Sequence, residues 1–84
     1  MTPHADKLPS PAIVLRDLLA ERGMSQLELS RQLGGSDNQV NLILRGRRGI
    51  TPRLALRLQE ALGFPALYWL ILETTYRLEK AKGP

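Results

Sequence analysis

The chain has 84 residues, with 43% apolar and 24% charged side chains, no cysteine and a formal net charge of +4. This length allows one domain with a small core, and the composition is ordinary for a globular protein. Without cysteine, the sequence excludes disulfide scaffolds, thiolate catalysis and cysteine-ligated zinc, and it favours a cytoplasmic protein.

The first nine residues differ in character from the rest of the chain. They carry two prolines and no apolar periodicity, which predicts a flexible N-terminal arm over residues 1–9 and a single domain over residues 10–82. The apolar run from Leu62 to Leu72 is too short to span a bilayer, so we expect no membrane segment.

Helix-start and helix-stop residues divide the domain into five predicted helices. Serine or threonine, followed by proline or by Glu or Gln three residues later, is typical of a helix start, and glycine is typical of a helix end. No segment shows the alternation of a strand. In chain order, the predicted helices run from Ser10 to Arg22, from Ser25 to Leu33, from Ser36 to Arg45, from Thr51 to Leu62, and from about Pro65 to about Lys80.

The second and third predicted helices are short and are separated only by the turn at Gly34 and Gly35. A linker this short cannot make two helices antiparallel, so they must cross steeply, as in a helix-turn-helix. At about 100° per residue, Val40, Ile43 and Leu44 of the third helix face the core. The sequence therefore predicts an all-α, five-helix domain built around a helix-turn-helix.

The opposite side of the third helix carries side chains that can read DNA bases. Asn38 and Asn41 can pair with an adenine edge, and Leu42 can touch a thymine methyl group. Asp37 repels phosphates, although it could accept a hydrogen bond from cytosine. An exposed helix kept soluble by polar residues would show the same pattern, and both interpretations stay open at this point.

The positive charge is concentrated in the middle of the chain. From Arg31 to Arg57 there are six arginines and one acid, Asp37. The alternatives are a solvated basic face and a phosphate-binding surface, and the position of the arginines beside the third helix favours the second. The predicted phosphate contacts are Arg45, Arg47, Arg48, Arg53 and, at the start of the second helix, Gln26.

The last predicted helix has apolar residues on two opposite sides. The side expected to dock on the chain's own core comprises Leu67, Leu70, Ile71, Thr74 and Leu78. The other side carries Trp69, Leu72 and Tyr76, which we predict to form a homodimer interface, because helix-turn-helix proteins usually bind paired half-sites as two-fold dimers. The alternative is that the N-terminal arm or the first helix covers this second side.

No set of residues predicts an enzyme. The single histidine lies in the predicted arm, and the acids are scattered without metal-ligand spacing. We therefore expect no catalytic residue, no metal and no cofactor.

Three segments together carry a family resemblance: PAIVLRDLLAERGMSQLELSRQLG, VNLILRGRRGITPRLALRLQEALG and the tail YWLILETTYRL. From Pro11 to about Leu78 the chain resembles the XRE (Cro/cI-like, phage-repressor-like) helix-turn-helix family, and specifically HigA-type antitoxins. The resemblance implies a lambda-repressor-like fold and an antitoxin that represses its own operon and neutralises an RNA-cleaving toxin of the HigB/RelE type. The family's DNA contacts carry over onto Gln26, Asp37, Asn38, Gln39, Asn41 and Leu42.

Two alternative functions stay open. The first is a stand-alone phage-type XRE transcriptional repressor with no toxin partner. The second is a protein-interaction module that only blocks a toxin and does not bind DNA. Salt-dependent binding to the promoter would separate a DNA-binding protein from the interaction module.

Overall fold

The structure, a computed structural model, describes residues 8–83. Over this range it contains five α-helices and no strand, which confirms the predicted all-α, five-helix fold class. Of the predicted arm, only Leu8 and Pro9 are described, and both are exposed; the rest lies outside the described residues. The helices are α1 (Pro11–Arg22), α2 (Gln26–Leu33), α3 (Gln39–Leu44), α4 (Pro52–Leu62) and α5 (Ala66–Lys82).

Three helices start with the predicted side-chain caps. At α2 the Ser25 hydroxyl accepts from the Glu28 amide at 3.0 Å, and the Glu28 carboxylate accepts from the Ser25 amide at 2.9 Å. Ser10 caps α1 and Thr51 caps α4, each with one hydroxyl–amide bond. A cap of this kind stabilises a helix by about 1 kcal/mol, so the local sequence sets these helix starts.

The third helix begins later than predicted. Ser36 is not its N-cap, because the Ser36 hydroxyl accepts from the Asn38 amide at 3.1 Å and its carbonyl accepts from the Gln39 amide at 3.2 Å. Residues 36–38 therefore form a separate turn. The second half of a capping box is also missing, since the Gln39 side chain lies buried and bonds to Ser30 and Gly34 instead. Consequently α3 has only six residues.

A small aliphatic core lies between the five helices. Val40 and Ile43 of α3 are buried as predicted, and Leu44 packs against the core from a half-buried position. Burying one side chain of this size contributes about 1.5–3 kcal/mol. The buried apolar residues are Leu15, Leu18, Leu19, Leu29, Leu33, Val40, Ile43, Ile50, Leu54, Ala55, Leu58, Leu62, Trp69 and Leu72.

The two sides of α5 are largely the reverse of the prediction, although Leu70 packs half-buried against the core as predicted. Trp69 and Leu72 are 0% and 1% exposed and lie in the chain's own core, whereas Leu67, Ile71 and Leu78 are 66%, 46% and 59% exposed. Because α5 packs on α4 and α1 through the side that buries the large indole, the apolar area removed from water is greater this way. The prediction that Trp69 and Leu72 form a dimer interface is therefore wrong.

Neither a membrane-spanning helix nor a metal-binding cluster occurs in the described part of the chain. No helix within residues 8–83 is long and apolar enough to cross a membrane. In the same range, no group of three or more His, Cys, Asp or Glu side chains is placed to hold a metal ion.

Candidate nucleic-acid interface

The exposed side of α3 lies against the start of α2. Across this junction the Asn41 side-chain amide donates to Gln26 Oε1 at 3.1 Å. Asn38 is exposed, and Asn41 and Leu42 are half-buried on the same side of α3. We call Gln26, Asn38, Asn41 and Leu42 the reading face; the structure brings these four predicted residues to one surface.

The reading face keeps unused hydrogen-bonding capacity. The bond between Asn41 and Gln26 orients both side chains, yet each amide retains further donor and acceptor positions. The Asn38 side chain makes no capping bond to its own helix. Amides of this kind can pair with base edges in a major groove, and the side chain of Leu42 offers an apolar contact beside them.

Asp37 lies at the edge of the reading face and pairs with a basic residue of α2. Its Oδ2 atom is 3.6 Å from Arg31 Nη2, and both side chains are exposed. An exposed ion pair at this distance contributes about 0–1 kcal/mol. The pairing places a positive charge beside Asp37, the one acid between Arg31 and Arg57. Arg31 therefore joins the residues that border the reading face.

Gln39 does not belong to the reading face. It is 3% exposed, and its Nε2 atom donates to the Ser30 carbonyl at 3.2 Å and to the Gly34 carbonyl. The base contact that the family resemblance implied for Gln39 is therefore contradicted, because its amide hydrogens are bonded to backbone inside the protein. The sequence spacing could have predicted that Gln39 is buried, because Gln39 precedes the buried Ile43 by four residues and therefore lies on the same side of the helix.

The predicted phosphate-contacting arginines are all exposed, but they do not all line one cleft: Arg48 and Arg53 share a cleft, whereas Arg47 lies against α5. Arg45, Arg47 and Arg48 lie exposed at the end of α3 and in the loop after it, and Arg53 lies exposed in the first turn of α4. A cleft of about 190 Å³ runs between the turn after α2 and the start of α4. Its described lining has no carboxylate and includes Arg48, Arg53 and Arg57.

Arg57 was not predicted as a site residue, and its role is partly structural. Its Nη1 atom donates to the Leu33 carbonyl at 2.8 Å, which ties α4 to the end of α2. The terminal carbonyls of a helix lack partners within the helix. Arg57 therefore serves the helix-turn-helix geometry and also adds charge to the cleft.

Tyr76, the third residue predicted for the dimer interface, lies half-buried beside a second cleft of about 230 Å³ between α1, the loop after α3, and α5. Lys80 Nζ lies 5.4 Å from the centre of the Tyr76 ring. In the same cleft Arg77 pairs with the buried Glu73, and Gly49 packs directly against this ion pair. The loop that carries Arg47 and Arg48 therefore packs against α5 at Gly49.

Comparison with known proteins places this geometry among helix-turn-helix proteins. The helix-turn-helix family model HTH_3 matches residues 15–69. Virulence-associated protein I of Dichelobacter nodosus is 37% identical to this chain. The alignment is 87 positions long and covers 98% of this chain and 81% of that protein.

Two solved structures extend the likeness to three dimensions. The Pseudomonas aeruginosa antitoxin HigA, solved with the higBA promoter, superposes with a TM-score of 0.81 at 35% identity, over 87% of this chain and 80% of that one. A further structure from Pseudomonas aeruginosa, of PA4674 in complex with its operator DNA, gives a TM-score of 0.81 at 34% identity, over 89% of this chain and 82% of that one.

Proposed function

Because this chain belongs to the helix-turn-helix family HTH_3 and shares the fold of HigA-family antitoxins, we propose that it is a dimeric antitoxin that binds operator DNA. In this role it represses its own operon and neutralises an RNA-cleaving toxin of the HigB/RelE type. No enzymatic activity of its own is needed for either task, and its DNA target places its action in the cytoplasm.

The observation that carries the DNA-binding proposal is the reading face with its flanking arginines. Asn38, Asn41 and Leu42 lie on the exposed side of a short helix, and Gln26 joins them through a hydrogen bond to Asn41. Exposed arginines at the end of that helix and at the start of α4 supply phosphate contacts. Phosphate contacts orient a protein on the duplex, while base-edge contacts select the sequence.

The exposed side of α5 supports the proposed homodimer. Leu67, Ile71 and Leu78 are spaced by four and seven residues, so they form one apolar stripe on the helix. A groove of about 250 Å³ on this side is lined by Leu67, Leu70, Ile71, Thr74 and Thr75. Two-fold operators require two reading helices and therefore a dimer. In the proposed dimer a second copy of α5 covers the exposed apolar stripe.

A binding titration with matched variants tests the DNA proposal. The probe is the duplex immediately upstream of the protein's own reading frame, compared with a random duplex at several salt concentrations. Asn41→Ala should weaken operator binding by about 1–3 kcal/mol while leaving random binding unchanged, because the amide pairs with a base edge and not with the phosphates.

Arg53→Ala is the matched control for a phosphate contact. It should weaken both duplexes alike and lower the salt dependence by about one unit of log–log slope for each phosphate that Arg53 neutralises. Equal binding of both duplexes by the wild-type protein at every salt concentration would contradict sequence-specific recognition.

Co-expression tests the toxin-neutralising part. If a reading frame adjacent to this gene encodes a small basic protein that stops growth alone and is harmless beside this chain, the antitoxin role is supported. A harmless neighbour, together with specific operator binding, favours the stand-alone repressor instead. Neutralisation without DNA binding favours the pure interaction module.

A further inference from the structure

The short helix α3 has no side-chain cap of its own at its first turn. Asn38, its N-cap residue, makes no side-chain bond to the helix. A helix of six residues is too short to be stable by itself, so its position depends on its neighbours. Two groups of backbone atoms without hydrogen-bond partners in their own helices meet at this junction: the last carbonyls of α2 and the first amides of α3.

Ser30 of α2 is bonded to α3 through both of its oxygens. It is 0% exposed, and its hydroxyl accepts from the Val40 amide in the first turn of α3 at 3.2 Å. Its carbonyl accepts from Gln39 Nε2, also at 3.2 Å. Both Ser30 oxygens are thus bonded to consecutive residues of α3, which makes Ser30 the N-terminal cap of a helix other than its own.

Gln39 completes the junction from the side of α3. Its side-chain amide has two hydrogens, and these go to the carbonyls of Ser30 and Gly34. The side chain is 3% exposed, so the bonds are shielded from water and costly to break. We call Ser30, Gln39 and Val40, with the three bonds between α2 and α3, the interhelix clasp.

We propose that Ser30 and Gln39 are positioning residues that set the angle of α3 on α2 and thereby hold Asn38 and Asn41 in place for base reading. Neither residue contacts DNA. This inference rests on the proposed function, because it assigns the clasp a role in sequence selection as well as in folding. Arg53 lies on α4, outside the clasp, so random binding depends on the clasp less than operator binding does.

Ser30→Ala is the decisive variant. Alanine is the best helix former, so α2 is not weakened, while the Val40 amide is deprived of its side-chain acceptor. We expect amide hydrogen exchange at Val40 to accelerate at least about tenfold relative to Leu58 in the α4 core. Operator affinity should fall about five- to tenfold, and affinity for a random duplex should fall by a smaller factor.

A second variant and a control separate positioning from general destabilisation. Gln39→Met keeps the length of the side chain and removes both donors, and it should reproduce the loss of operator preference. Ser10→Ala removes a hydroxyl–amide bond of the same kind at the start of α1. It should lower the melting temperature without changing the Val40-to-Leu58 exchange ratio or the ratio of operator to random affinity.

The outcomes are distinguishable from those for the proposed function. If Ser30→Ala lowers the melting temperature but leaves the exchange ratio at Val40 and the operator preference unchanged, the clasp is only structural and the inference is wrong. If the wild-type protein shows no operator preference, the proposed function fails; the exchange ratio in Ser30→Ala then decides by itself whether Ser30 holds α3.

Discussion

Gly34 combines a backbone conformation that favours glycine with close contact to a long side chain. Its φ of 76° and ψ of 162° lie in a region that other residues avoid, and a Cβ there would lie 2.9 Å from Arg57 Nη1. Gly34→Ala should therefore lower the free energy of unfolding by about 3 kcal/mol in urea denaturation. Gly23→Ala is the control: its site is also left-handed but has no neighbour within 4 Å, so about 1 kcal/mol is expected. Equal losses would show that neither the backbone conformation of Gly34 nor Arg57 adds strain beyond that of an ordinary left-handed site.

Asp37 is the residue whose charge opposes the proposed ligand. Its pairing with Arg31 at 3.6 Å neutralises two exposed charges at the edge of the reading face. Asp37→Asn removes a repulsive carboxylate and releases Arg31, so affinity for a random duplex should rise several-fold at low salt, and the rise should shrink as salt is added. Fluorescence anisotropy with a labelled duplex measures this. Weaker or unchanged random binding would mean that Asp37 does not face the phosphates.

Among the helices, the sequence predicted where most helices start but not which side of α5 is buried. The starts of α2 and α4 could be predicted because a cap depends on residues three apart, as at Ser25 and Thr51. Both sides of α5 are apolar, and only the shape of the α1–α4 surface decides that Trp69 goes inside. The predicted start of α3 was wrong because Ser36 accepts from the Asn38 and Gln39 amides in a separate turn, while the Gln39 side chain bonds to residues five and nine positions away.

The two sides of α5 predict opposite consequences of mutation. Leu67→Lys combined with Ile71→Lys places charge on the exposed stripe, so the protein should stay folded but become monomeric in light scattering coupled to gel filtration. Trp69→Ala, by contrast, should cost about 3–5 kcal/mol of stability by opening a cavity in the core. A double-lysine variant that remains dimeric would place the dimer interface elsewhere on the molecule.

For the whole molecule, the proposed two-fold dimer predicts the layout of its operator. Two reading helices should contact half-sites about one helical turn apart, roughly 10–10.5 base pairs between centres. Inserting about five base pairs between the half-sites turns one of them to the opposite side of the duplex, so affinity should fall at least about tenfold. Replacing the same spacer with a different sequence of equal length is the control. Tolerance of the insertion would show that one protomer accounts for the binding.

The single tryptophan also gives the protein an internal optical probe. Trp69 is fully buried, with the Phe64 and Tyr68 rings centred 6.4 and 5.7 Å away, and its indole nitrogen has no hydrogen-bond partner among the described residues. Its emission should be blue-shifted in the native state and move to longer wavelength when α5 detaches from α4. Because α5 packs mainly on α4 and α1, fraying of α3 should change this emission little. Intrinsic fluorescence therefore monitors the packing of α5, while amide exchange at Val40 monitors α3.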